Sequence, residues 1–321
     1  MALSTQLHIV TGKGGTGKTT VAAALAMALA DKGKKVLLCE VEGRQGIAQL
    51  FDVPPLPYKE RKVAVGLGGG EVFALAIDPE AALLEYLAMY YRLGRAGKVL
   101  DRFGIIDFAT TIAPGVRDVL LTGKVYEAAK RKNGSKFVYD AVIMDAPPTG
   151  RITRFLNVNT EVAGLAKVGP IRRQAESIMQ MMRSVTTRVH LVTVLEEMPV
   201  QETIDGIAGL AAENLPVGHV ILNLVRPALL SAETSAAISG GSLTAAKVGA
   251  SLKRASLEQG ASAALLDEGK SHIERQSLQD RQRDVLVGEA ERLAQLPWLS
   301  DGIDLGALFE LAEELKEGGV I

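Results

Sequence analysis

The run Gly12-Lys13-Gly14-Gly15-Thr16-Gly17-Lys18-Thr19 constrains this chain more than any other segment. It reads glycine, four residues, then glycine, lysine and a hydroxyl. It stands between a short apolar strand, Leu7 to Val10, and an alanine-rich helical stretch, Thr19 to Ala30, that closes on Asp31, Lys32 and Gly33. Strand, glycine-rich loop and helix in that order make a phosphate cradle, because glycines let backbone N–H groups converge on phosphate oxygens and a helix N-terminus favours negative charge. Gly12 to Thr20 is therefore expected to hold a nucleotide. Lys18 supplies charge to the β and γ phosphates, and the Thr19 hydroxyl is placed to ligate Mg²⁺.

A second apolar strand, Val36 to Cys39, follows the helix at once, so the first unit is a crossover between parallel strands. Further strands are expected at Val72 to Ile77, Val138 to Met144, His190 to Leu195 and His219 to Leu222, with helical patterns between them. The predicted fold class is α/β, a doubly wound, mostly parallel sheet of the P-loop NTPase type with an inserted helical subdomain. Asp78 is a good N-cap with Pro79 at the first helical position, and apolar residues from Leu83 to Tyr91 surround much of the helix that follows. The helical subdomain is expected over about 78–132 and 151–183, and polar-faced C-terminal helices over about 242–294. The whole of 1–321 reads as one P-loop ATPase domain, long enough to bury its own core.

Charge decides which partners to discard. Thirty-six Lys and Arg against 37 Asp and Glu leave a net charge of −1, so no global field recruits nucleic acid. A single cysteine, Cys39, excludes an internal disulfide and any all-cysteine metal site within one chain, which points to a cytoplasmic location. The longest strongly apolar run, Val21 to Ala30, falls well short of the roughly 18 residues that a membrane span needs. Any membrane acceptor would be peripheral.

Lys13 and the residues after the fourth strand narrow the class. GKGGTGKTT resembles the deviant phosphate loop of the ATPase class that includes the arsenite-pump and tail-anchored-protein targeting ATPases, nitrogenase iron protein and the division-site and partition ATPases. The run Asp145-Ala146-Pro147-Pro148-Thr149-Gly150-Arg151-Ile152-Thr153-Arg154-Phe155-Leu156 is similar to that family's switch II signature, D-T-A-P-T-G-H-T-L-R-x-L. Asp145 closes a strand at the edge where ligands bind and can hold a magnesium-bound water, Pro147 and Pro148 stiffen the loop, and Gly150 lets the backbone approach a γ-phosphate near Thr149. The resemblance implies that Lys13 reaches across a dimer interface to the partner's nucleotide; an ordinary solvated loop lysine is the plain alternative.

Val36 to Phe51 aligns without gaps on the family's second strand and D-P-A-H loop, and there the chain departs from the pattern. Glu42-Gly43-Arg44-Gln45 stands in place of those four residues, so Glu42 takes the position of the carboxylate that orients the attacking water. Its extra methylene displaces the carboxylate by roughly 1 Å, and a misplacement of that order can cost about 100-fold in rate. Slow hydrolysis is expected if Glu42 is catalytic; otherwise it is an exposed loop acid. Asn223, expected just after a strand, can offer its amide to adenine N6 and N7, and the resemblance places an adenine-reading asparagine here; an asparagine capping the next turn looks the same in sequence. Pro297 and Trp298 fall in the segment that resembles the family's base-wrapping loop, although a lone tryptophan also suits a core.

The departures also remove functions. One cysteine cannot supply the thiol cluster of an arsenite site, a C-x-x-C zinc bridge or iron–sulfur ligands. Ile178, Met179, Met181 and Met182 suit either adaptable binding of a hydrophobic protein cargo or plain packing in a core or dimer interface. His8, His190, His219 and His272 show no ligand spacing. Glu310, Glu313 and Glu314 make the last helix acidic, against membrane or DNA positioning. The function expected from the sequence is a Mg-ATP switch, homodimeric or paired with a paralogue, that moves its helical subdomain; the alternative is a non-hydrolysing nucleotide-binding partner subunit.

Overall fold

Leu7, Ile9 and Val10 set an uncharged extended segment in front of the glycine loop. In the computed structural model, which describes residues 6–91, 115–165 and 170–321, that segment is β1 (Leu7–Gly12), buried along its whole length at the middle of the sheet. The chain continues through α1 (Lys18–Asp31), β2 (Lys35–Glu40), α2 (Gly46–Leu50), β3 (Arg61–Val65), β4 (Glu71–Ala76) and α3 (Pro79–Tyr91). Then come α4 (Val116–Lys130), a small hairpin of β5 (Lys132–Asn133) and β6 (Lys136–Phe137), β7 (Ala141–Asp145), α5 (Thr149–Leu165) and α6 (Pro170–Met182). The last third holds β8 (Thr187–Thr193), α7 (Glu197–Ala212), β9 (Val217–Val225), α8 (Ala232–Ser239), α9 (Ala245–Arg254), α10 (Ser262–Glu289), β10 (Leu293–Pro297) and α11 (Leu305–Glu317).

The main sheet runs β10-β9-β8-β1-β7-β2-β4-β3, parallel throughout except for β3 at one edge. This is the α/β, mostly parallel P-loop fold. β7 inserts between β1 and β2, so the loops after all three strands open side by side at one rim of the sheet.

Helices cover both faces because parallel strands are apolar on both. On one face, Leu7, Ile9, Leu37 and Met144 pack with Phe155 of α5 and Ile178, Met181 and Met182 of α6. On the other, Val10, Leu38 and Ile143 pack with α1 and with Leu308, Leu311 and Leu315 of α11. Alanine recurs in α1 because every residue from Val21 to Ala30 is at most 1% exposed, and small side chains let sheet and α11 close from two sides. Phe155→Ala would leave a cavity costing about 3–5 kcal/mol.

α3 begins as its residues dictate, with the Asp78 carboxylate accepting from the Ala81 N–H at 2.7 Å. A polar network ties α3 and α4 to the sheet. Tyr58 donates to Glu85 at 2.6 Å, Lys124 donates to the same carboxylate at 2.8 Å, and Tyr139 donates to Glu60, which also pairs with Arg131. Within the expected helical segments, residues 92–114 and 166–169 lie outside the described ones.

Several boundaries differ from the expectation. Val138 to Asp140 precedes β7 rather than belonging to it, because the β5–β6 hairpin occupies the chain just before and Asp140 turns to accept from the Lys35 N–H at 2.8 Å. β8 begins at Thr187 and ends at Thr193, upstream of the expected His190 to Leu195. β9 extends to Val225, which puts Asn223 inside the strand. Leu293 and Ala294 form strand, not helix: β10 is an edge strand, where a terminal Pro297 with no N–H is tolerated.

Candidate active site

The phosphate loop is built by close approach. A Cβ on Gly12 would stand 2.1 Å from the Val192 carbonyl oxygen of β8, so only glycine lets the loop leave β1 there. Gly17 has φ +85°, and a Cβ on it would meet the Asn223 amide nitrogen at 2.3 Å. Thr16 donates through its hydroxyl to the Lys13 carbonyl at 2.9 Å, and Asn223 donates from Nδ2 to the Thr16 carbonyl at 2.8 Å. Gly14 and Gly15 are exposed at the crest of the loop, and Lys18 is buried at the start of α1.

Asp145 ends β7 opposite Val10 on one side and Glu40 on the other. Its Oδ2 accepts from the Thr19 hydroxyl at 2.7 Å, while its buried Oδ1 has no partner. Burial pushes the Asp145 carboxyl up to about 6; the Thr19 bond and Lys18 oppose that, and the negative charges of Glu40 and Glu42 add to it. A buried, half-satisfied carboxylate beside a hydroxyl fits a magnesium ion: Thr19 would hold it directly and Asp145 through a water. Thr11 donates to the Pro147 carbonyl at 2.7 Å, tying the loop after β7 to β1. Pro148 and Gly150 flank Thr149, whose hydroxyl is buried without a partner at the start of α5.

The loop after β2 is pinned by residues the sequence reading passed over. Glu40, 2% exposed, accepts from the backbone N–H groups of Gln45 and Ile47, the latter at 3.4 Å. The Gln45 side chain in turn accepts from the Leu56 N–H at 2.7 Å. Gly46 packs against Thr19, a Cβ on it falling 3.2 Å from the threonine methyl. Glu42 is left near the crevice, 3.8 Å from the exposed Arg44 guanidinium. The sequence signal for Glu40 was available: a lone charge closing the apolar strand V-L-L-C-E.

Asn223 is 4% exposed with one amide hydrogen engaged by the phosphate loop, which leaves its other donor. Leu224 follows at φ +57°. Trp298 is 40% exposed, and the Arg226 guanidinium lies 4.5 Å from its ring centre. Gln276 and Gln279 of α10 hold the backbone of Arg226. Lys13 pairs with Glu202 of α7 at 2.7 Å. Arg226 and Glu202 carry no motif and were invisible in the sequence.

Other candidates resolve into structure. Ile178, Met179, Met181 and Met182 are all buried, at most 6% exposed, as core residues. His8, His190 and His219 stack across β1, β8 and β9, with His8 Nδ1 3.1 Å from His190 Nε2. Among the described residues no three or more His, Cys, Asp or Glu side chains gather into a further metal site, and no helix is long and apolar enough to cross a membrane.

Comparison with known proteins places this geometry in context. Residues 5–187 match the family described as anion-transporting ATPase. ATPase BagA of Mycobacterium tuberculosis is 53% identical over 321 residues, covering 98% of this chain and 94% of that protein. ATPase get3 of Schizosaccharomyces japonicus is 30% identical over 179 residues, 53% of this chain and 51% of that one. The arsenical pump-driving ATPase of Escherichia coli is 26% identical over 241 residues, 68% of this chain and 39% of that one.

Proposed function

The chain belongs to the anion-transporting ATPase family, and from that premise we propose that it is a Mg-ATP switch working as a dimer, homotypic or with a paralogue. The observation that carries the reading is Asp145, a buried carboxylate with one oxygen on Thr19 and the other unpaired, at the foot of a complete phosphate loop. Gly12 to Thr20 cradle the phosphates and Lys18 neutralises them. Asn223, Pro297 and Trp298 take the base. Mg²⁺ held by Thr19, and by Asp145 through a water, would supply neutralisation of the phosphate charge. Glu42 orients the attacking water, Lys13 reaches the partner's nucleotide, and Thr149 and Gly150 sense the γ-phosphate and relay its loss through α5 to the helical layer.

The cargo consistent with the family resemblance is a hydrophobic or membrane protein, delivered in the cytoplasm to a peripheral membrane acceptor. The methionines of α6 are core, so they supply no cargo surface. A second reading, a nucleotide-binding partner subunit that does not hydrolyse, is favoured by Arg44 beside Glu42, where its charge competes for the carboxylate. Calorimetry with Mg-ATP, single-turnover hydrolysis, and sedimentation with and without nucleotide test these readings together. Binding with turnover and association supports the switch; binding without turnover selects the partner subunit; no binding overturns both.

A further inference from the structure

Lys13 and Glu202 form an ion pair whose side chains are about one-third exposed, 31% and 36%. A pair so open to water adds little to stability, and α7 is already held by the buried Val200, Thr203 and Leu210. The geometry points instead to a positioning role. The Lys13 main chain is fixed, since its carbonyl accepts from both the N–H and the hydroxyl of Thr16, whose own carbonyl is held by Asn223. Only the flexible stem of the lysine can swing, and its ammonium now rests on α7.

The face of α7 that carries Glu202 is also the face that touches switch II. Gly206 and Gly209 stand one and two turns farther along α7, on the same side as Glu202. A Cβ on Gly206 would lie 2.9 Å from Leu191 Cδ2 and 3.6 Å from Thr149 Cγ2, and one on Gly209 would lie 3.2 Å from the Thr153 hydroxyl. At both positions the absent side chain brings the α7 backbone down onto α5 and its first residue. A displacement of Thr149 is thereby passed to the helix face that holds Lys13.

We propose that Glu202 positions Lys13 within its own subunit and gives it up when two subunits close over nucleotide. The inference rests on the reading that Lys13 acts in trans. Glu202 competes with the partner's phosphates for one ammonium, so it sets the protein concentration at which ATP drives association, and the contact of α7 with Thr149 and Thr153 makes its grip respond to the nucleotide.

Sedimentation velocity with Mg²⁺ and the β,γ-imido analogue of ATP tests this on the wild type, Glu202→Gln, Glu202→Asp, Lys13→Ala and the Lys13→Ala/Glu202→Gln double variant. Releasing one such pair is a factor of about 1.5 to 5, and a symmetric dimer releases two, so Glu202→Gln should tighten association about 2- to 25-fold. Glu202→Asp should restore most of the wild-type constant, and in the Lys13→Ala background Glu202→Gln should change nothing. Equal melting temperatures would show that the fold is untouched. A wild type that dimerises alongside a Glu202→Gln variant with the same constant would overturn the proposal and leave the dimer standing. A gain that persists without Lys13 would do the same. If no protein associates at any concentration, the reading of Lys13 in trans falls, and the proposal with it.

Discussion

Glu40 and Asp145 lie directly opposite each other on the adjacent parallel strands β2 and β7, and both carboxylates are buried. Two like charges at one register position are unfavourable unless something else is stabilised by them. Glu40 accepts through its two oxygens from the backbone of the loop after β2, whereas Asp145 keeps one oxygen unpaired.

Asp145→Asn should therefore stabilise the nucleotide-free protein. The folded-state pKa is raised from 3.8 to about 6, so the protonated form is the one that suits the fold. The contribution is full below the unfolded pKa and is lost as pH rises through about 6, leaving a cost of up to about 3 kcal/mol at neutral pH. Thermal melts without nucleotide should show the variant above the wild type at pH 7.5, with the gap closing towards pH 5. Adding Mg-ATP should narrow or reverse the gap, because the wild type, which keeps the carboxylate for the magnesium-bound water, gains more binding energy.

Glu42 and Glu40 should separate cleanly in single-turnover assays. Glu42→Gln should retain ATP with hydrolysis nearly abolished, because an amide accepts no proton from water. Glu42→Asp should hydrolyse at least as fast as the wild type if the Gly43-Arg44-Gln45 loop accepts the shorter side chain. Glu40→Gln should act through the loop, loosening Gln45 and Ile47, and lower turnover by about 10-fold or less. Equal rates for the wild type and Glu42→Gln, alone and mixed with a co-purifying paralogue, would remove Glu42 from the mechanism.

Asn223→Asp should weaken all nucleotides and also shift the preference from ATP towards GTP. The carboxylate would face the Thr16 carbonyl in place of a donor, costing about 1–3 kcal/mol for either base. It would also accept from guanine N1–H and N2 while offering nothing to adenine N7. Asn223→Ala is the control, expected to lower both affinities alike in competition titrations. A ratio unchanged by Asn223→Asp would move base reading to Arg226, Pro297 and Trp298.

The histidine stack should make the fold acid-sensitive far from the nucleotide. Burial holds His8 down at about 3 and His190 well below its ordinary value, with Lys34 and Arg188 adding to the effect on His8. Depressed folded-state values mean that this stability is intact above about 6.5 and is lost as pH falls towards 3. The loss reaches up to about 1.4 kcal/mol per pH unit for each histidine. Urea titrations from pH 7.5 to 4.5 should show that slope, and His8→Gln should flatten it; an unchanged slope would place the acid sensitivity elsewhere.

The parts of the site legible in sequence are those fixed by backbone chemistry. Gly12 and Gly17 are required by contacts that any side chain would break, and the strand before them and helix after them follow from local pattern. Asp145 was readable because it ends an apolar run. Glu202 and Arg226 were not, because what gives them meaning is the approach of α7 to the loop and of β10 to β9, set by tertiary packing with no local period. β3 and β10 escaped for a related reason: edge strands need only one pairing partner and tolerate charge or proline. The methionines of α6 show the converse, a composition open to two meanings that burial alone resolves.

The central place of β1 has a consequence for the birth of the protein. Its two neighbours are β7 and β8, so Val10 waits for Asp145 and Gly12 waits for Val192 before either finds its place. At about 5–20 residues per second, roughly 10–40 s of synthesis separate Gly12 from Val192. Until β7 is made the apolar strand has no lasting partner, and until β8 is made it has one of its two, the circumstance in which parallel sheets fold slowly and aggregate. The nucleotide cradle is finished later still, when Asn223 reaches Thr16. A nucleotide that needs the Asn223–Thr16 contact would stabilise only chains made past Asn223, and so would favour them over products truncated before that residue.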